Sequence, residues 1–342
     1  MPVIDGQCAG LRRVLSKEFQ AWTGGAMLIP FADTDSILRL LAAVQRAPSV
    51  RESQPWSFRI VASDRLEVRA NQDRWLKVAD PRARGLTISC GAALFNLRMA
   101  IRVTGHNVAV WLLPDPAQDP YLLASVEIVT GRTIGPAVTH QELYDAIMRR
   151  RTNRSPFTGP PVAPKILVTM QVAAAKEQGW LRVLDRPATR RWLRAADDAQ
   201  RNLAADKLYQ DELRRLAPDY LMLSGAGAPL PSSQVERRPQ LMVLSTDYDR
   251  PLDWLRAGQA LQRALLTGTP FGVVASFLTQ PLELRDMPGS TQPGLPRLGP
   301  WKWPRAEVPQ MVLRVGHAAQ ERDDVFRPQL PKVSDTRPRP DH

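Results

Sequence analysis

Apolar side chains recur every three or four positions in several stretches of the chain, the spacing of amphipathic helices. In 34–45 they are Ile37, Leu38, Leu40, Leu41 and Val44. Pro48 ends that helix, because the residue before a proline is pushed out of the helical region. The stretch 87–105 carries Ile88, Leu94, Leu97 and Ile101, with Gly91, Ala92 and Ala93 where a second helix can approach closely. The same spacing predicts helices over 140–149, 165–178, 188–216 and 252–268. Apolar runs and alternation predict strands over 58–62, 65–69, 108–113, 121–129, 180–184, 240–246, 271–278 and 311–316. The stretch 11–19 reads as a surface helix, broken by Gly24-Gly25. Proline and glycine make 217–240 and 284–308 loop-rich, and the proline- and arginine-rich tail 329–342 reads as disordered.

Part of the pattern repeats. Gly91 and Gly258, Gly105 and Gly272, and Pro114 and Pro281 each lie 167 residues apart, as do Ala93 and Ala260, and Leu94 and Leu261. Both copies read as a helix, a glycine stop and an apolar strand ending at proline. A glycine past a helix end takes the left-handed conformation of a C-terminal cap, so a shared helix-to-strand grammar also accounts for part of the match.

The chain has 342 residues, 44% of them apolar, enough for one large domain or two ordinary ones and too apolar for global disorder. Its net charge of +12 admits an anionic ligand, nucleic acid or an acidic membrane surface. The arginines are spread along the chain without interleaved aromatics, so a generally basic surface is expected rather than a dedicated nucleic-acid face. Two cysteines, Cys8 and Cys90, indicate a reducing compartment, with Cys90 a buried thiol. Two cysteines and four scattered histidines give no zinc spacing. No signal peptide or membrane-spanning run is read, and a cytoplasmic location is expected. Gly225-x-Gly227 lacks a third glycine and is followed by Pro229, so it is not a dinucleotide fingerprint.

Two motifs carry the candidate chemistry. Four arginines fall within 149–154, in Arg149-Arg150-Arg151-Thr152-Asn153-Arg154. Arginine's fixed fork of donors matches phosphate oxygens; the alternative is a solvated basic helix end complementing the helix dipole. Upstream, the run from Ala47 to Phe58 holds Pro48, Ser49, Gln54, Pro55 and Trp56. Together the two resemble the nitroreductase superfamily of FMN proteins. That family uses Arg-Arg-Ser/Thr-x-Arg/Lys for the flavin phosphate, and Pro-Ser-x-x-Asn-x-Gln-Pro-Trp from the partner subunit. Arg150, Arg151, Thr152 and Arg154 match the first pattern, and Pro48, Ser49, Gln54, Pro55 and Trp56 the second. Ser89-Cys90-Gly91-Ala92-Ala93-Leu94 and Gly258-Gln259-Ala260-Leu261-Gln262-Arg263 are similar to the Acg branch of mycobacterial and actinobacterial proteins, and the likeness extends over 35–330.

The resemblance implies an α+β, nitroreductase-like fold with mixed or antiparallel sheets flanked by helices. Members are usually homodimers with a flavin at each of two interface sites. Here the second half's counterpart of Gln54-Pro55-Trp56 falls near 173–180, where only Trp180 survives. Two tandem copies fused as an internal pseudo-dimer are therefore expected, with 1–34 an N-terminal segment, 35–135 the first half and 136–328 the second. Insertions near 205–235 and 284–308 are expected to act as a lid. One FMN site remains, and a monomer follows because the dimer surface is internal.

The resemblance assigns the flavin phosphate to Arg150, Arg154 and Thr152, with Arg151 assisting and Arg327 as the late basic residue. Pro48 and Ser49 are expected against the flavin. Gln54 either contacts it or braces the turn, and Trp56 is expected in the core. The loop Thr279-Gln280-Pro281 corresponds to a segment approaching flavin N5, which makes Gln280 a site residue. Glu52 stands where the family has Asn: it either accepts from flavin N3–H and disfavours the anionic reduced flavin, or turns outward to Arg51. No protein nucleophile, acid–base pair or metal is expected, since the cofactor does the hydride chemistry. The expected function is an NAD(P)H-dependent oxidoreductase acting on a nitro compound or quinone with restricted access to the flavin. The alternatives are a non-catalytic FMN-binding or storage protein of stress or dormancy responses and, more remotely, a basic nucleic-acid-binding protein.

Overall fold

The computed structural model describes residues 31, 34–129, 138–153, 155–218, 220, 236, 238–287, 307–318 and 331–337. The expectations for 1–30, for most of the 217–240 and 284–308 loops, and for Arg154 and Arg327 lie outside the described residues.

The first half runs α1 (Thr34–Gln45), β1 (Trp56–Ala62), β2 (Arg65–Ala70), α2 (Arg84–Arg102), β3 (Asn107–Leu112) and β4 (Leu122–Val129). Then come α3 (Val138–Arg149), α4 (Pro164–Ala175), β5 (Trp180–Val183), α5 (Arg186–Ala205), α6 (Lys207–Leu216), β6 (Gln240–Thr246), α7 (Pro251–Gly268), β7 (Val274–Phe277), α8 (Gln280–Asp286), β8 (Val308–Gly316) and β9 (Lys332–Asp335). Among the described residues, no helix is long and apolar enough to cross a membrane.

The sheets share one topology. The first is ordered β3-β4-β2-β1-β9, and the second, read from its other edge, β7-β8-β6-β5. Apart from β9, the orders correspond strand for strand, β3 with β7, β4 with β8, β2 with β6 and β1 with β5. This correspondence makes the chain two tandem copies of one α+β unit.

The copies meet where α2 and α7 cross. A Cβ on Gly91 would lie 2.3 Å from the Leu255 carbonyl oxygen, and one on Gly258 would lie 2.0 Å from that of Ile88. Ile88 and Leu255 are themselves 167 residues apart, so the crossing is two-fold symmetric. Arg82 and Asp249, at the same offset, form an ion pair of 2.8 Å. Gly105 (φ 85) and Gly272 (φ 71) both adopt the left-handed conformation after these helices. The fused pseudo-dimer is thus present in the packing as well as in the sequence spacing.

Three local expectations change. The helix predicted over 188–216 is two helices. Asp206 is extended between them, and its side chain accepts from the Tyr209 N–H at 3.0 Å, which caps α6. The strand predicted over 271–278 is shorter, because Pro270 and Gly272 shape a 3₁₀ turn before Val274. The tail is not structureless over 331–337. There β9 pairs in parallel with β1, Ser57 opposite Lys332 and Ile60 opposite Asp335. Arg337 also donates to the Phe31 carbonyl at 2.8 Å. The end of the chain therefore crosses to the first half's sheet.

Gly258→Ala forces a methyl against backbone that cannot retreat without separating the helices. It is expected to lower unfolding free energy by about 1–3 kcal/mol or more, measured by urea denaturation; a change within about 0.5 kcal/mol contradicts the close crossing. Asp249 is held down to about 2: burial opposes ionisation, but hydrogen bonds from Trp254, Arg82 and Gln310 outweigh it. A carboxylate with a depressed folded pKa stabilises the fold above its unfolded pKa and loses that contribution as pH falls through its folded pKa. Between about pH 4 and pH 2, Asp249→Asn is therefore expected to show a shallower loss of stability than the parent chain, and an unchanged slope contradicts this role.

Candidate functional site

The segment after α1 is held in an unusual backbone path. Arg51, Glu52 and Gln54 have φ of 54°, 52° and 44°. A left-handed conformation in a residue other than glycine costs of order 1–3 kcal/mol and persists where surrounding structure over-determines it. Here the Ser49 hydroxyl accepts from the Gln54 N–H at 3.1 Å, and the Ser89 hydroxyl on α2 accepts from the Val50 N–H at 3.0 Å. Arg51 is the third anchor. Its guanidinium pairs with Glu283 at 2.5 Å, donates to the Tyr220 hydroxyl and stacks on the Tyr220 ring. The Tyr209 and Thr279 hydroxyls complete the carboxylate's shell at 3.1 and 2.8 Å. A buried charge pair is tolerable when further hydrogen bonds support it, as those to the Glu283 carboxylate do here.

Arg51 borders a pocket of ≈ 640 Å³ between the halves. Pro48, Ser49, Val50 and Arg51 come from the loop after α1, Ile88 and Ser89 from α2, and Leu261 from α7. Ser276, Phe277, Thr279 and Gln280 come from β7 and the start of α8, with Met311 from β8 and Tyr220 from the segment after α6. The walls alternate hydroxyls with apolar faces, which suits a flat heteroaromatic with polar edges. Gln280 is 2% exposed, and its Oε1 has no hydrogen-bond partner among the described residues. A buried acceptor left unmade is costly, so a ligand N–H at this wall has a partner waiting.

The arginine run reaches the same pocket from the other side. Thr152 bridges to Ala275 beside β7, the Asn153 N–H donates to the Ala275 carbonyl at 2.9 Å, and Thr152 lines the pocket. Arg150 spans the halves, donating to the Thr152 hydroxyl at 3.1 Å and the Arg46 carbonyl at 3.0 Å. Arg151 donates to the Met148 carbonyl at 2.8 Å. Burial, then repulsion from Arg151, lowers Arg46 to about 10. Cations crowded enough to disfavour one another's charge are complemented by an anion. Arg46 is a member of this cluster that motif reading missed, although it lies two residues before Pro48.

Of the residues singled out in the sequence, Pro48, Ser49, Thr152 and Gln280 lie on the pocket wall; Arg150 is bonded to Thr152 but, like Arg151, does not line the pocket. Glu52 is half-buried and does not line the pocket. Gln54 is buried but braces the turn, its amide reaching the Gln45 carbonyl at 3.4 Å. Trp56 is buried in the first half's core. Cys90 is fully buried, and burial pushes its thiol up, so it is inert. Arg51, Glu283, Tyr209 and Tyr220 were invisible to spacing because their partners lie far apart in sequence. Glu212 adds to this rim: it accepts from the Val78 and Ala79 N–H groups at 2.9 Å and fixes α6 over the first half.

No family model matches the chain. It is 30% identical over 302 residues to an uncharacterized Mycobacterium tuberculosis protein, covering 80% of this chain and 84% of that one. A protein of the same organism, named "putative NAD(P)H nitroreductase", is 29% identical over 323 residues, covering 86% and 88%. The M. tuberculosis protein named "putative NAD(P)H nitroreductase acg" is 28% identical over 327 residues, covering 84% and 90%. Among solved structures, a nitroreductase with bound FMN from Desulfitobacterium hafniense has a TM-score of 0.37 at 17% identity, covering 56% of this chain and 94% of that one.

Arg51→Ala strips Glu283 of its charge partner. It is expected to cost roughly 3–5 kcal/mol in denaturant titration, with the joint Arg51→Met, Glu283→Met variant recovering much of the loss. A cost below about 1 kcal/mol shows that the pair does not hold the loop.

Proposed function

The chain belongs to the nitroreductase superfamily, in its Acg-type branch, and on that premise we propose that it is an FMN-dependent oxidoreductase whose flavin lies in the pocket between its halves. The observation that carries this reading is the convergence on one pocket of the Pro48–Arg51 loop from the first half and Thr152, backed by Arg150, Arg151 and Arg46, from the second. Bound FMN supplies hydride and electron transfer, so the chain needs no nucleophile of its own. The arginine cluster and the Thr152 hydroxyl hold the phosphate. Arg154 and Arg327 are proposed to assist them. Pro48 and Ser49 support the ring system, and the Gln280 carboxamide oxygen accepts from it.

NAD(P)H is the proposed electron donor, and a nitro compound or quinone the acceptor. Access is restricted: Tyr220, from the expected lid insertion, lies on the pocket wall and is tied to Arg51. Glu212 anchors the preceding helix to the first half. An enclosed site excludes water and also bulky acceptors. A monomer is proposed, since the surface that pairs subunits is internal here.

The test is the visible spectrum of the purified protein before and after anaerobic NADPH. A flavin band that bleaches with NADPH is expected; a band that bleaches only with dithionite contradicts the oxidoreductase reading and favours flavin storage. Arg150→Ala is expected to weaken FMN binding by about 10–100-fold, the worth of a charge-assisted hydrogen bond. Undiminished affinity in fluorescence titration removes Arg150 from the phosphate site.

A further inference from the structure

The two-fold relation has a second consequence on the opposite side of the helix crossing. A groove of ≈ 690 Å³ lies there, with Val110, Leu112 and Arg256 on its walls. At the 167-residue offset these are the counterparts of Phe277, Thr279 and Ser89, which line the first pocket. The loop before β5 also borders the groove through Lys176 and Gln178. Gln178 (φ 61) precedes Trp180 as Gln54 (φ 44) precedes Trp56, and each tryptophan opens its strand. The groove is therefore the counterpart of the pocket, built on the same framework with different chemistry.

The replacement is systematic. Where the first pocket has the Ser89 hydroxyl, the groove has the Arg256 guanidinium. Where the first has Thr279, the groove has Leu112. Arg98 and Arg102 on α2 stand where the second half has Leu265 on α7 and Thr269 just after it. Arg98 is held in place by Glu177 and Gln259, at 2.8 and 2.6 Å. Arg102, Lys176 and Arg256 form no ion pair among the described residues. Burial, then the neighbouring Arg98, lowers Arg102, and His140 is lowered by burial and by the same arginines. The groove's lining thus carries four cations, Arg98, Arg102, Lys176 and Arg256, against the one carboxylate of Glu177, which Arg98 and Arg263 neutralise, and the floor, from Val108, Val110 and Leu112, is apolar.

We propose that this groove binds a phosphorylated small molecule, its diphosphate on Arg102, Lys176 and Arg256 and its apolar or aromatic body on the Val108–Leu112 floor. Three cations outside any ion pair among the described residues match the charge of a diphosphate. Arginine forks fit its oxygens, and two arginines fixed on rigid helices lose little freedom on binding. The floor gives the body of the ligand a face to bury, which a bare anion does not use. This site does not depend on the flavin reading, because it shares no lining residue with the first pocket.

The experiment is calorimetric titration of the full-length protein, saturated with FMN, using ADP, pyrophosphate and inorganic phosphate as probes. ADP is expected to bind with a Kd below about 1 mM, more tightly than pyrophosphate, and to weaken as salt rises. Arg102→Gln with Arg256→Gln is expected to weaken ADP by at least about 10-fold, while FMN binding stays unchanged. Lys176→Gln, at an exposed position, is expected to lower ADP affinity severalfold. No ADP binding at 10 mM (roughly tenfold above the expected Kd), binding undiminished in these variants, or binding lost instead in Arg150→Ala overturns the proposal. Pyrophosphate binding as tightly as ADP overturns the assignment of the apolar floor.

Discussion

The structure depends on two helices that cross with almost nothing between them. Gly91 and Gly258 bring α2 and α7 close enough that the backbone of each occupies the space a side chain would need on the other. Ile88 and Ser89, within a turn of Gly91, and Leu261, within a turn of Gly258, form part of the pocket wall. The close approach that joins the halves therefore also sets the width of the pocket. A bulkier residue at the crossing would separate the cores and the two sides of the site together.

Fusion removes the requirement that both interface sites remain alike. One side keeps a hydroxyl-rich wall, the arginine cluster and a loop with three left-handed residues, held by Ser49, Ser89 and the Arg51–Glu283 pair. The other keeps the framework, with Gln178 and Leu113 left-handed, and fills it with cations and aliphatic side chains. The chain's last strand reinforces the asymmetry, since β9 extends the first half's sheet.

Much of this was legible in the sequence because it rests on local rules. Helix periodicity, the glycine stops and the 167-residue spacing all survive as geometry, and the helix predicted over 34–45 matches α1. The arginine run and the Pro48-Ser49 segment are contiguous, so their residues could be named before the fold was seen. What escaped depends on distant partners. Arg51 draws its meaning from Glu283 and Tyr220, far along the chain. The split at Asp206 depended on whether an aspartate caps or continues a helix, and β9 on an edge of β1 that composition does not reveal. Of the two readings of Glu52, at the flavin or outward to Arg51, the sequence could not choose; the left-handed path around Ser53 leaves Glu52 off the pocket wall, and Arg51 pairs with Glu283.

The most direct measurement is the number of flavins per chain. The protein would be saturated with FMN, freed of excess by gel filtration, and its released flavin and protein quantified on a species whose mass is fixed by light scattering. A fused pseudo-dimer with one working site predicts one FMN on a monomer. Two FMN per chain would show that the second framework still accepts flavin, and none would show that the pocket between the halves is not a flavin site.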